Sequence, residues 1–253
     1  MNMKLEELSP LYEYQEGMPW NPVEKVIMER RSIRGFKKEP LPDTMIERIL
    51  EAGRFAPSAG NAQPWRFIVV KSPEILAAME KDAVRVIKFF MFLLDYTRTG
   101  FLLRLIKKPL AKFYIRILGN ELHPVPFELM SQIALGKTKV FHDAPTLILM
   151  VEDSRGVSCP PMDIGICGEN IVLSAHSLGA GSCWIGLIKV LMYLPWWRKR
   201  FGIRKPYRLE VCIALGWQKP KADGAVPREA QVIEWFDRGL NDAPRYTKQG
   251  VKS

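Results

Sequence analysis

Apolar positions along the chain follow two rhythms, one with the period of a helix and one with the length of a strand. After an extended arm over residues 1–20, Asn21-Pro22 offers a helix cap and a first helical residue. Val23, Val26 and Ile27 then supply an apolar stripe that runs out near Arg30. A second helix restarts at Leu41-Pro42-Asp43, buries Met45, Ile46, Ile49 and Leu50 on one face, and ends by Pro57. Pro73 to Asp82 predicts a short helix. Asp163 to Leu178 predicts a longer one, with Ile164, Cys167, Ile171, Val172, Ala175 and Leu178 on a broad face and Gly179 to Gly181 as its stop. Lys189 to Phe201 predicts a short helix broken near Pro195.

Arg66–Val70, Thr146–Val151, Ser182–Leu187 and Leu209–Trp217 have strand length, and Val232–Trp235 is a candidate last strand. The unbroken apolar run Thr146–Val151 predicts a central strand, covered on both faces. Helices and strands are intermixed and no second core is visible. The expected fold is therefore α+β, layered α/β/α, in a single domain over 1–253.

Residues 83–140 fit this pattern poorly and predict a divergent helical insert. Within it Arg104, Lys108, Lys112 and Arg116 repeat every four residues, while Leu103, Ile106, Leu110, Phe113 and Ile117 keep a helical apolar spacing. That is a basic amphipathic helix, kinked or started at Pro109. The surrounding apolar set, with Phe89, Phe90, Phe92 and Leu93, is too large to leave in water. A lid packed on the domain, its cations facing outward, is favoured over docking to a membrane surface or an acidic partner.

Charge sharpens this picture. The chain carries a net +10, and Lys81 to Arg116, with nine Lys or Arg and two Asp, holds +7 of it. Most of the excess therefore sits in one segment, which argues against a whole-protein nucleic-acid surface. Composition is otherwise that of a soluble globular protein, 47% hydrophobic and 25% charged over 253 residues. The N-terminus shows no signal peptide, and Phe89–Leu94 and Leu191–Trp197 are too short to span a bilayer, so a cytoplasmic location is expected. Cys159, Cys167, Cys183 and Cys212 show no paired spacing and predict buried free thiols, not a metal site. His123, His142 and His176 are isolated and read as structural.

Two stretches carry candidate chemistry. Arg30-Arg31-Ser32-Ile33-Arg34 packs three guanidiniums and a hydroxyl into five residues. Such forks bind phosphate oxygens bidentately and stay charged at any working pH, so the cluster suits nucleic acid, an acidic protein or a phosphorylated cofactor. Ala56-Pro57-Ser58-Ala59-Gly60-Asn61-Ala62-Gln63-Pro64-Trp65 is a loop by composition. Its small residues let a backbone approach a flat ligand, and Ser58 and Asn61 bring donors and acceptors for a ring edge or polyol.

Taken in order, R-R-S-I-R-G-F at 30–36, A-P-S-A-G-N-A-Q-P-W-R-F at 56–67, D-I-G-I-C-G-E-N-I-V-L-S-A-H-S-L-G-A-G-S-C-W-I-G at 163–186, A-L-G-W at 214–217 and P-R at 227–228 resemble the FMN-dependent nitroreductase family. The resemblance implies a mostly antiparallel sheet flanked by helices, in an intertwined homodimer with FMN at the subunit interface. It implies that Arg30, Arg31, Ser32 and Arg34 hold the FMN phosphate, ribityl chain and pyrimidine edge, with Arg34 also stabilising the reduced flavin. Pro57, Ser58, Ala59 and Asn61 match the loop that reaches the ring from the other subunit. Trp184, Ile185 and Gly186 match the strand end whose backbone passes near the flavin N5, and Arg228 matches a late basic residue on the phosphate. A further family position falls in the insert, where Arg85 or Lys88 is the candidate, and Glu169-Asn170 stands where Gln-Asn is common. The implied activity is NAD(P)H-dependent reduction of nitroaromatics, quinones or similar conjugated acceptors by a ping-pong hydride mechanism, with no catalytic side chain and no metal. A reductive dehalogenase or a flavin-destroying oxygenase is the alternative within the family, and a non-enzymatic basic binding protein the alternative outside it.

Overall fold

Four segments supply the central sheet: β1 (Trp65–Val70), β2 (Thr146–Asp153), β3 (Gly181–Ile185) and β4 (Tyr207–Gly216), in the order β1-β2-β4-β3 with every pairing antiparallel. The computed structural model describes residues 15–94, 105, 107–109, 124–220, 228–237, 239 and 243–249. The expected central strand is central: β2 pairs with β1 on one side and β4 on the other, and Leu147 to Val151 are fully buried. Strand alternation sends Leu147, Leu149 and Val151 to one face and Ile148 and Met150 to the other, so β2 feeds two separate apolar clusters. The β2–β4 register shifts between Met150 and Val151, leaving Glu210 as the extra residue of a bulge.

One face is covered by α2 (Asp43–Arg54) and α5 (Pro160–Ser177). These two helices approach closely because Gly53 has no side chain: a Cβ there would lie 2.6 Å from Ile171 Cγ1. The other face is covered by α3 (Pro73–Leu94), α4 (Pro124–Ala134) and a 3-10 stretch, Gly186–Tyr193, followed by α6 (Pro195–Arg200). Helices on both faces of an antiparallel sheet are the layered α+β arrangement expected from the sequence.

Helix α3 corrects one expectation. It does not stop at Asp82 but runs on to Leu94, 22 residues in all, because Met79, Ala83 and Ile87 keep a four-residue apolar spacing and are fully buried. Residues 83–94 are thus core helix rather than insert. The chain also returns to the core by α4, where Ile133 is buried, and Glu80 of α3 accepts the Val140 and Phe141 backbone N–H groups at 2.8 and 3.0 Å. The predicted basic helix over 103–117 lies largely outside the described residues. Of it, Leu105 and Lys107 to Pro109 are described and helical; Lys108 is exposed, whereas Lys107 is buried, its Nζ donating to the Phe92 carbonyl at 2.8 Å.

The chain divides into two compact units, Met1–Ala222 and Asp223–Ser253. The second contains β5 (Gln231–Trp235), the candidate last strand, paired antiparallel with β6 (Arg245–Gln249). The Trp235 indole N–H donates to Thr247 Oγ1 at 2.7 Å across this hairpin.

Candidate functional site

The arginine cluster begins where helix α1 (Pro22–Glu29) ends. A capping box starts this helix: Asn21 Oδ1 accepts the Glu24 N–H at 3.0 Å and Glu24 Oε2 accepts the Asn21 N–H at 2.7 Å. At the other end the backbone turns extended at Arg30, and Arg31 Nη1 donates to the Met28 and Arg30 carbonyls, so this guanidinium closes the last turn.

From there the chain lies along β3 like a further strand. Ser32 bridges Ser182 in parallel, the Ile33 N–H donates to the Ser182 carbonyl at 2.9 Å, and Ile33 packs on Gly181, where a Cβ would come within 3.0 Å of Ile33 Cγ2. Beyond it the Lys37 N–H donates to the Trp217 carbonyl at 2.8 Å and Lys219 N–H to the Gly35 carbonyl at 3.0 Å. With Ile33 and Phe36 buried as anchors, Arg34 is left exposed at the surface of this edge.

Helix α5 ties the cluster to the end of β3. Gly168 lies under the Trp184 indole so closely that a Cβ would sit 2.0 Å from the ring. The next residue, Glu169, places Oε1 3.4 Å from Arg30 Nε. That contact is an ion pair without hydrogen-bond geometry, and Arg30 Nε is a buried donor with no hydrogen-bond partner. Glu169, which stands where the resemblance has Gln and implied a mainly structural position, thus lies beside Arg30. At the strand end Ile185 is buried, whereas Gly186 is exposed and a Cβ there would meet nothing within 4 Å.

The Pro57–Asn61 loop is held by its own contacts. Gly60, Asn61 and Gln63 are left-handed, with φ of +58°, +53° and +46°. Such backbone suits Gly and is tolerated by Asn, whose short polar side chain bonds locally. Ser58 Oγ accepts the Gln63 N–H at 3.0 Å, and Gln63 Nε2 donates to Asn61 Oδ1 at 3.0 Å. The loop leads into β1, whereas the arginine segment runs beside β3, and these are the two edges of the sheet. Three inter-strand spacings, about 14 Å, separate them. The register also sets them toward opposite ends: Trp65 aligns with Glu152, and Ser182 aligns with Leu215 and Thr146. One chain brings Ser32 and Ile33 beside Gly181 and Ser182, and Arg30 beside Glu169, and keeps Ser58 and Asn61 at the other edge of the sheet.

Other candidates resolve simply. Arg228 lies exposed in the second unit, just before β5. Arg85 Nη1 is 3.0 Å from Asp82 Oδ1, and the same carboxylate's Oδ2 accepts both indole N–H groups of Trp196 and Trp197. Among the cysteines, Cys159 is exposed, against expectation, because it precedes the first turn of α5; the other three are buried. Burial pushes the Cys167 thiol up to about 12 and the Cys212 thiol well above its ordinary value, so neither is a nucleophile at neutral pH. Among the described residues no group of three His, Cys, Asp or Glu is placed to hold a metal ion.

Known proteins share both the sequence pattern and this architecture. The chain is 29% identical over 200 residues, 79% of its length and 87% of the relative's, to a protein of Archaeoglobus fulgidus whose name couples NADH dehydrogenase with NAD(P)H nitroreductase. It is 26% identical over 226 residues to a nitrobenzene nitroreductase of Ectopseudomonas oleovorans, covering 85% of this chain and 94% of that one. The crystal structure of a nitroreductase with bound FMN from Desulfitobacterium hafniense superposes with a TM-score of 0.61 at 25% identity, over 83% of this chain and 96% of the other. The family model described as Nitroreductase family matches residues 27–217, a span that takes in the arginine segment, the loop, all four sheet strands and helix α5. The chain belongs to the nitroreductase family.

Proposed function

We propose that this protein is an FMN-dependent oxidoreductase that takes electrons from NAD(P)H and passes them to nitroaromatics, quinones or similar conjugated acceptors. The observation that carries the reading is the arginine segment, fixed along β3 with a buried, unpartnered guanidinium N–H at Arg30. The residues present fit a phosphate-bearing flavin: a donor set of guanidiniums with Ser32, and an exposed glycine at 186 with open space where a flat ring must approach backbone.

In this reading Arg30, Arg31 and Ser32 hold the phosphate, and Arg34 offers positive charge to the pyrimidine edge of the ring. Trp184, Ile185 and Gly186 present backbone to the ring, with Trp184 kept in place by its seat on Gly168. When bound, FMN supplies hydride transfer, so donor and acceptor use one face in turn and no side-chain nucleophile is required. Ser58, Ala59, Asn61 and Pro57 reach the ring of a second subunit, which their place on the opposite sheet edge favours. The functional unit is therefore a homodimer. Acceptor choice is assigned to the stretch between α3 and α4. The names of the relatives, for NAD(P)H and for nitrobenzene, support both ends of the electron path.

The test separates the phosphate from the ring. FMN is expected to bind more tightly than riboflavin, and Arg30→Ala should lose about 1.5–3 kcal/mol of FMN binding, the worth of a hydrogen bond to a charged group. Flavin absorbance of the purified variant, with circular dichroism to confirm folding, reads the outcome. Full flavin occupancy in Arg30→Ala would overturn the assignment.

A further inference from the structure

Residues 186–208 contain seven Lys or Arg and no Asp or Glu. They build the 3-10 stretch, α6 and the start of β4, and with them an open hollow of about 940 Å³ lined by Lys189, Arg198, Lys199, Arg204, Lys205 and Arg208. Glu210 is the one acid among its lining residues, and Lys189 neutralises it at 2.8 Å. Arg208 is bound to the buried Glu152 at 2.7 Å. Arg198, Lys199, Arg204 and Lys205 have no ion pair among the described residues, so the hollow is strongly cationic.

Its rim carries uncovered aromatic surface. Tyr193 lines the hollow and meets Phe90 edge-on at 5.2 Å, and Phe90 in turn meets Phe89 at 6.2 Å. Tyr193 is 63% exposed, Trp196 49%, Phe89 58% and Phe92 59%. On α3 the spacing of Arg85, Lys88, Phe89 and Phe92 places cations and aromatics in one stripe, on the side opposite buried Ala83 and Ile87. Trp196 is fixed to the same helix through Asp82 at 3.1 Å. The aromatic patch and the cationic hollow are one continuous face, joined through Tyr193.

Aromatic side chains in this number do not stay bare on a protein surface without a partner. A second copy is a poor one, since two such cationic faces repel. Phosphodiester strands would satisfy the cations but leave Phe89, and the open edge of Phe92 whose ring already carries Lys107 Nζ at 3.4 Å, without a contact on the helix flank. An anionic bilayer satisfies both: headgroups meet the cations, and the aromatics enter the headgroup–acyl boundary, where Trp and Tyr are favoured. Among the described residues no helix is long and apolar enough to cross a membrane. We propose that the face carrying Phe89, Phe92, Tyr193 and Trp196 beside the cationic hollow docks on an anionic lipid bilayer. The inference stands apart from the flavin reading, since none of these residues belongs to the arginine segment, the loop or the end of β3.

The experiment is co-sedimentation of the full chain with vesicles of phosphatidylcholine alone or mixed with phosphatidylglycerol, at low and raised salt. The protein should sediment with the mixed vesicles, weakly with the neutral ones, and less as salt rises. Phe89→Ser/Phe92→Ser and, separately, Lys199→Glu/Lys205→Glu should each lower the partition coefficient at least about tenfold. Flavin content and melting temperature should stay at wild-type values in the charge variant, which keeps the test valid if the double serine variant fails to fold. Four results would overturn the proposal: no vesicle binding, equal binding to neutral and anionic vesicles, unchanged binding in the charge variant, or an oligonucleotide bound while vesicles are not. A serine variant that stays folded but changes sedimentation size would mark the face as a subunit contact and overturn it too.

Discussion

Arg30 and Arg31 are neighbours in sequence with different occupations. Arg31 spends its guanidinium on the last carbonyls of α1, whereas Arg30 keeps a buried N–H unpartnered beside Glu169. Substituting Arg31 should therefore lower stability as well as any flavin affinity, and Arg30→Ala should lower affinity alone. Gly168 is fixed just as locally. In Gly168→Ala the new methyl would overlap the Trp184 ring, a rigid group held against α5, so the variant should lose about 1–3 kcal/mol of stability. Urea unfolding checks this, and an unchanged midpoint would mean the indole is free to move. The buried thiols make a pH prediction. Cys167 stays protonated in the folded state up to about 12 against an ordinary value of 9.0, so its contribution to stability is complete below about pH 9 and is lost as pH rises toward 12. Iodoacetamide at pH 8 should label Cys159 in the native protein and reach Cys167 and Cys212 only after unfolding, as mass spectrometry would show.

At the scale of elements, the sequence was most legible where a capping or stopping residue coincided with periodicity. Asn21-Pro22 starts α1, Gly179 follows α5, and the all-apolar run of β2 could only be an inner strand. It was least legible where punctuation was missing. Nothing between Asp82 and Leu94 breaks helix, and only packing on the sheet shows that Ala83 and Ile87 belong to the core. Strand β6, Arg-Tyr-Thr-Lys-Gln, is polar enough to pass for tail; it is a strand because β5 pairs with it. Helix α1 illustrates a third case. It is eight residues long with no buried residue, and Val23 and Ile27 are 55% and 53% exposed. So short a helix is marginal by itself. Its cap is then a measurable share of its stability, and Asn21→Ala should cost about 1 kcal/mol by urea titration.

For the whole molecule, the decisive relation was one the sequence could not express: which motifs share a sheet edge. Ser32 and Ser182 are 150 positions apart yet bridged, while Ser58 and Asn61, much nearer to Ser32 in sequence, sit at the far edge. In the proposed function a second chain completes the site. The uncovered apolar stripe of α1 suits that contact, and Val23→Asp/Ile27→Asp should shift sedimentation toward the monomer and release flavin together with it. A monomeric variant that retains flavin would separate the two. The Glu80 clasp on Val140 and Phe141 carries a different kind of consequence. A carboxylate on α3 receives the backbone of a stretch 60 residues further along the chain. The entropy of closing such an excursion grows only slowly with its length. The clasp therefore keeps its worth whatever the length of the intervening chain, and Glu80→Ala, which strands both N–H groups, should lower the melting temperature.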